Sequence, residues 1–449
     1  MFSATLLANV NLPAIFTDNM VLQRNSEVVI WGNASPKEEI TLTAEFLNKE
    51  FKIITGNDAR FSFKIPTGKE GGPYTITIKG YNEVVLRNVM FGEVWLVSGQ
   101  SNMEMSAAWG IKNGEAEVAK AHHPNIRFFT VPKLSANFPQ NNLFGNWEIC
   151  TPETMKNFSA IGYFFAERLQ EELKNVPIGI ICSAWGGSAA ELWTPENIFK
   201  EQPALLANYQ KIGASEYYPT QIGGAYNAMI YPINPYKIKG ALWYQGETNT
   251  GNPEGHTELL SSMIDSWRKA KGEEFPFYII QIAPYKGWSD TTARIKNAQR
   301  LVSESISNSG MVITSDLDVI DDIHPKNKKP VGLRMANLVL KKVYQLNKEL
   351  VENPSFKSVD YRGKRAILNF EFAEGLHSKG KTSSLFEIAG VDGKFFSAMA
   401  IIKGNQIILE SQKVKNPVNV RYAWSNEAIP EVFNKADLPL STFTTENFK

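Results

Sequence analysis

Ser101 sits in SGQSNM (98–103), between Gln100 and Asn102 and directly after the apolar run EVWLV. A serine hydroxyl becomes a nucleophile only when a base takes its proton and donors meet the oxyanion that develops. The chain has five histidines, at 122, 123, 256, 324 and 377. His122 and His123 precede a proline in AKAHHPN, His256 sits in the loop-like GNPEGHTE, and His377 falls in a late strand-rich region. Only His324, in DDIHP, combines a strand-end position with nearby carboxylates. Asp321, three residues earlier, is at a spacing that can bring a carboxylate to the imidazole Nδ1 and leave Nε2 for a hydroxyl. Asp322 is the competing carboxylate. Serine, imidazole and carboxylate together point to acyl transfer.

Such a site also needs donors for the oxyanion. Gly186-Gly187 in WGGSAAELW offers backbone N–H groups with no Cβ in the way, and Gln245 in WYQGETN offers a side-chain amide. No GxSxG is present, so the sharp nucleophile elbow of α/β-hydrolases is not expected. Ser101 can equally cap a helix starting at Asn102, which is compatible with nucleophilic work because a helix N-terminus favours an anion. The plainer readings stand beside these: a glycine pair that only turns the chain, and a glutamine that stitches loops.

These residues need a scaffold. EVWLVS (93–98), IGIICSAW (178–185), GALWYQ (240–245), FYIIQIA (277–283) and MVITSD (311–316) read as buried strands of a parallel sheet. FSAIGYFFAERLQEEL, ELLSSMIDSWRKAKG and VGLRMANLVLKKVYQL carry helical periodicity between them. Alternating strands and helices predict a mainly parallel sheet covered on both faces, with ligands beyond the strand ends. The polar clusters above all follow such ends. Before residue 91 the period is two, as in RFSFKIP and YTITIKG, and strand texture returns after about 350, with a hairpin at GN in IIKGNQIIL. The expected division is a sandwich-like β domain over 1–90, an α/β domain over 91–347 and a β region over 348–449.

With 449 residues, two or three such units are expected. Lys and Arg total 47 against 46 Asp and Glu, which gives no electrostatic reason to expect nucleic acid as a partner. Two cysteines, Cys150 and Cys182, make neither a disulfide framework nor a metal site, and Cys182 reads as a buried thiol. No apolar run is long enough to span a membrane. The N-terminal MFSATLLANVNLP fits a trimmed secretory signal or a plain tail, and periplasmic or secreted export is the expectation.

The wording and order of VWLVSGQSNMEM, FSAIGYFFAERL, WGGSAAELW, YNAMIYPI, IKGALWYQGETN, FYIIQIAPY and DDIHPKNKKPVG resemble the sialate O-acetylesterase family within the SGNH-hydrolase superfamily. The resemblance runs from IFTDNMVLQR to VRYAWSN, nearly the whole chain. It implies an SGNH-type three-layer α/β/α fold flanked by N- and C-terminal β regions, acting on an O-acetylated sugar without metal or other cofactor. It further implies Ser101 as nucleophile, His324 as base, Asp321 as its partner, and an oxyanion hole of the Ser101 N–H, Gly187 and Gln245. Gln100, Asn102, Trp193, Glu247 and Asn227 are the substrate-binding candidates. Trp109, Trp185 and Trp288 are further candidates for stacking on a sugar, and Arg294 or Lys286 for meeting a carboxylate. Tyr231 stands where related sequences often carry His, which bears on substrate choice. An acetylated hemicellulose is the alternative substrate. A silent glycan-binding protein and a lipase-like esterase are the readings from other classes, and no extended apolar lid favours the latter. Oligomeric state is not legible.

Overall fold

The structure is a computed structural model that describes residues 9–174, 176–288, 291–317, 319–380 and 382–447. The apolar N-terminal piece on which the export expectation rests lies largely outside these residues. The chain opens with β1 (Val21–Gln23), β2 (Glu27–Asn33), β3 (Glu39–Ala44), β4 (Phe51–Ile54), β5 (Arg60–Pro66), β6 (Gly71–Lys79) and β7 (Glu83–Gly99). In β5 the period-two pattern does what it predicts: Phe61, Phe63 and Ile65 are buried and the residues between them exposed. They face Gly32, Ile30 and Val28 across the antiparallel β2–β5 ribbon.

β7 is the spine. Its first half pairs with β6 and β1, and its second half with β10 (Ile178–Ala184) and β11 (Gly240–Tyr244). One uninterrupted strand of 17 residues therefore runs through position 90 and ties the N-terminal β layer to the α/β region. The other strands of the second sheet are β8 (His123–Thr130), β9 (Trp147–Cys150), β12 (Phe277–Ile280) and β13 (Ser309–Val312). Their order is β13-β12-β11-β7-β10-β8-β9, parallel throughout except for the edge strand β9.

Side chains leave a strand on alternate faces, and β11 uses both. Ala241 and Trp243 join one core, with Leu260, Met263, Ile264 and Trp267 of helix His256–Lys271. Leu242 and Tyr244 join the other, with helices Ala160–Leu173 and Lys328–Lys342. Two helical layers around a mainly parallel sheet give the expected α/β/α arrangement. After residue 350, two four-stranded antiparallel sheets enclose a core of their own. This region is fastened to the middle one by Gln281 Nε2 to Ser441 Oγ (2.9 Å) and Asn426 Nδ2 to the Trp288 carbonyl (2.6 Å).

β7 ends at Gly99, with φ of +137°, where a Cβ would drive into the Tyr244 carbonyl oxygen of β11. Only glycine fits this close approach, and it aims the chain at Ser101. Gly99→Ala is expected to lower unfolding free energy by about 1–3 kcal/mol, read from urea denaturation, together with a loss of ester hydrolysis. Unchanged stability would show that the turn has slack.

Candidate active site

Ser101 begins a short helical turn, Ser101–Glu104, after Gln100 in extended conformation. At that first position its N–H has no partner within the helix. The hydroxyl is partly exposed and has no hydrogen bond among the described residues. The neighbouring side chain carries the geometry. Asn102 is 1% exposed. Its Nδ2 donates to Glu247 Oε1 (2.7 Å) and to the carbonyl of Ile323 (3.0 Å), and its Oδ1 accepts from Lys328 Nζ (2.5 Å). The residue after Ser101 thus holds the residue before His324, across more than two hundred positions of sequence.

His324 is half-buried, and the Trp109 ring meets it edge-on at 6.0 Å. Burial is the main influence on the imidazole and pushes its pKa below the usual histidine value. Lys328 adds to this, and Asp322 and Glu104 oppose it. No hydrogen bond or ion pair joins the expected partner Asp321 to His324 among the described residues. Asp321 is exposed and paired with Lys286 at 2.7 Å, while Asp322 Oδ1 accepts the backbone N–H of His324 at 2.9 Å. Of the two carboxylates, Asp322 is the one bonded to His324, through the backbone, while Asp321 is held by Lys286. The loop turns so that the nearer residue folds back on the histidine and the farther one reaches solvent.

The glycine pair separates into two roles. Gly186 lies against Ser101, but its N–H donates to Glu104 Oε2 (2.8 Å). Glu104 is also paired with Lys133 (2.5 Å). Gly187, at φ +78°, has its carbonyl fixed by Thr248 Oγ1 (2.6 Å), and its N–H has no acceptor among the described residues.

Gln245 is engaged by its neighbours. It is fully buried, and its Nε2 donates to the Ser188 carbonyl (3.2 Å) and to Asn249 Oδ1 (2.6 Å). Asn249 cannot turn to release it, because its Oδ1 also accepts the Ala190 N–H and its Nδ2 donates to Glu191. Both amide hydrogens of Gln245 are therefore used to stitch the loop after β10 to the loop after β11. The plainer reading of this residue is the one the geometry favours.

The proposed sugar contacts are likewise engaged within the protein. Trp193 is fully buried, with Nε1 on Ser188 Oγ (2.8 Å). Gln100 Oε1 accepts the Gly246 N–H (3.2 Å), and Asn227 Nδ2 donates to the Ala136 carbonyl (3.0 Å). Glu247 is buried, which raises its pKa, and it receives Asn102. Each of these side chains, like that of Asn102, makes a hydrogen bond within the protein. His256 is not in a surface loop either: it opens a helix, is buried, and its pKa is pushed down to about 4. Cys182 is a buried free thiol, as expected.

What faces outward is a smaller set: Ser101, the Gly187 N–H, His324 and Trp109, whose ring is 45% exposed. Beside them a cavity of about 250 Å³ is lined by Glu104, Trp109, Lys133 and Ser159 among others. Glu104, Lys328 and Asn249 were not singled out in the sequence, although each lies in a stretch that was. The available signal was a charged or amide side chain next to a strand end, too common to select them. Among the described residues, no group of His, Cys, Asp and Glu could hold a metal ion.

Known proteins share this arrangement of motifs and fold. The sequence profile of the family described as carbohydrate esterase, sialic acid-specific acetylesterase matches residues 91–341. Human sialate O-acetylesterase is 26% identical over 416 residues, covering 83% of this chain and 78% of the human one. The mouse sialate O-acetylesterase is also 26% identical, with coverage of 92% and 89%. A solved carbohydrate acetylesterase from Xanthomonas citri superposes with a TM-score of 0.88 at 32% identity, covering 98% of this chain and 100% of that one. The profile spans more than half of the chain and the superposition nearly all of it, so this chain belongs to the carbohydrate esterase family of sialic acid-specific acetylesterases and is an ester hydrolase.

Proposed function

We propose that the chain removes acetyl groups from O-acetylated sialic acid, with Ser101 as nucleophile and His324 as general base. The observation that carries this reading is the clasp of Asn102 on Ile323, which ties the turn bearing the hydroxyl to the loop bearing the imidazole. Ser101 Oγ attacks the acetyl carbonyl carbon while His324 takes its proton. The N–H groups of Gly187 and Ser101 meet the oxyanion, one without an acceptor and the other at a helix start. The tetrahedral adduct collapses, and the sugar oxygen leaves with the proton from His324. Water, deprotonated by His324, then attacks the acyl-serine, and acetate departs as Ser101 recovers its proton. Asp322 supports the imidazolium that forms in each half. No metal or cofactor enters the scheme. Sialic acid as the substrate is supported by the mammalian relatives.

A neutral acetylated glycan is the second reading, and one observation favours it. Three cations near the rim already have carboxylate partners: Lys133 with Glu104, Lys286 with Asp321, and Arg294 with Glu254. Acetate release from O-acetylated sialic acids and acetylated xylan, measured side by side, decides between the two. Faster turnover of the xylan would displace the sialate assignment.

Removing the base or nucleophile tests the mechanism. His324→Ala is expected to cost about 10²–10⁴ in turnover, and Ser101→Ala is expected to abolish acyl-enzyme formation in mass spectra of quenched reactions. Gln245→Ala is expected to lose less than the roughly 10²–10³ that follows removal of an oxyanion donor. A loss that large, with stability unchanged, would return Gln245 to the oxyanion hole.

The pH profile follows from the imidazole. His324 must be neutral to accept a proton, and its pKa is lowered, so activity persists below about pH 6.5 and disappears as pH falls through the lowered value. Asp322→Asn removes a carboxylate that opposes this shift and is expected to move the acid limb lower, whereas Asp321→Asn leaves it in place. The reverse ranking in kcat/KM profiles would restore Asp321 as the partner.

A further inference from the structure

A second cavity, about 710 Å³, lies at the other end of the parallel sheet. Its walls come from the N-terminal β layer and from the turn that precedes β11, whereas Ser101 follows the carboxyl end of β7. The five residues of β11 alone separate these ends by about 16 Å. The volume falls within the range of small-ligand sites, which favour junctions between layers.

The β2–β5 ribbon shows why the cavity is unusual. Val28, Ile30 and Gly32 turn into the core, so Val29, Trp31 and Asn33 occupy the opposite face. That face is expected to be polar, yet it carries a tryptophan, with Ser62 and Arg60 paired across the ribbon from Trp31 and Asn33. The Trp31 ring is held edge-on by Phe16 at 4.5 Å. Tyr231, 39% exposed, lines the cavity from the turn before β11, and Gln140 from a neighbouring loop. Lys271 fixes that turn by donating from Nζ to the carbonyls of Ile233, Asn234 and Tyr236 at 3.2, 3.0 and 2.9 Å. Two partly exposed aromatic rings on fixed backbones, amide side chains between them and no carboxylate in the lining make a surface suited to a pyranose chain. Arg60 is exposed and its side chain has no ion pair among the described residues, the nearby Asp58 carboxylate accepting only its backbone N–H at 3.3 Å. A planar guanidinium at a rim with no acidic lining residue is matched to a carboxylate.

We propose that this cavity is a non-catalytic binding site for a carboxylate-bearing oligosaccharide, with Trp31 and Tyr231 stacking on sugar rings and Arg60 meeting the acid. It absorbs Tyr231, whose position the sequence had linked to substrate choice: the ring lines a cavity at the strand-start end rather than the rim that holds Ser101. The proposal does not depend on the roles of Ser101 and His324.

Isothermal titration of the full-length protein with 3′-sialyllactose and with neutral xylohexaose tests it, using Trp31→Ala, Tyr231→Ala, Arg60→Gln and, at the other rim, Trp109→Ala. Hydrolysis of p-nitrophenyl acetate at the wild-type rate reports that the first three variants are folded. Expected are binding of sialyllactose by the wild type and a loss of about tenfold in affinity for each aromatic variant. Arg60→Gln is expected to abolish the preference for the acidic sugar, and Trp109→Ala to leave binding unchanged. Should Trp31→Ala fail the hydrolysis check, Tyr231→Ala and Arg60→Gln decide. The proposal is overturned by the wild type binding neither sugar, by undiminished binding in Tyr231→Ala and Arg60→Gln, or by binding lost only in Trp109→Ala. Equal affinity of the wild type for both sugars overturns the assignment of Arg60.

Discussion

A single buried amide sets the geometry of the rim that holds Ser101 and His324. Asn102 has two N–H donors and a carbonyl oxygen, and all three functions are occupied, by Glu247, Ile323 and Lys328. Two of those partners are ionisable and buried. A charge enclosed in this way is costly unless it is hydrogen-bonded, so losing the amide would take one hydrogen bond from each of them. The network is therefore an all-or-none device: satisfied, it holds two distant loops at a fixed separation, and broken, it penalises every member. Lys328 also lies over the ring of Tyr244 at 5.7 Å, so the clasp reaches β11 as well.

Around that clasp, the loops at the strand ends are bonded to one another. Thr248 holds the Gly187 carbonyl, Gln245 holds the Ser188 carbonyl, and Asn249 holds both Ala190 and Glu191. Polar side chains used in this way cannot also grip a substrate. What they provide is a rim whose free groups are already aimed, so little rearrangement is needed when charge develops in the reaction.

The scaffold was legible from sequence because periodicity is a local property. Alternation in RFSFKIP and apolar runs such as GALWY report which faces are covered, and the helices between them show their stripes within a few turns. The rim was legible only in part. Residue type and strand-end position identified the stretches that matter, but not the direction of each side chain. Whether Asp321 or Asp322 turns toward His324 depends on the path of a loop, and Lys286 captures the first of them from another strand end. Whether Gln245 faces a substrate or a loop depends on Asn249, whose orientation is set in turn by Ala190 and Glu191, nearly sixty residues earlier. His256 shows the same limit: a Gly- and Pro-rich context suggests solvent, yet the helix it opens packs inward.

The clasp also links geometry to basicity. Lys328, whose ammonium fixes Asn102, is one of the groups that depress the imidazole of His324, and Glu104, which engages the Gly186 N–H, is one that opposes it. The residues that position His324 thus also tune its proton affinity. Removing the lysine charge would make the imidazole a stronger base while loosening the loop that carries it, and removing the glutamate would weaken the base while freeing a backbone donor beside Ser101. Neither change acts on one property alone. This coupling follows from building the site within a half-buried rim, where every charge close enough to hold a loop is also close enough to be felt by the proton the reaction moves.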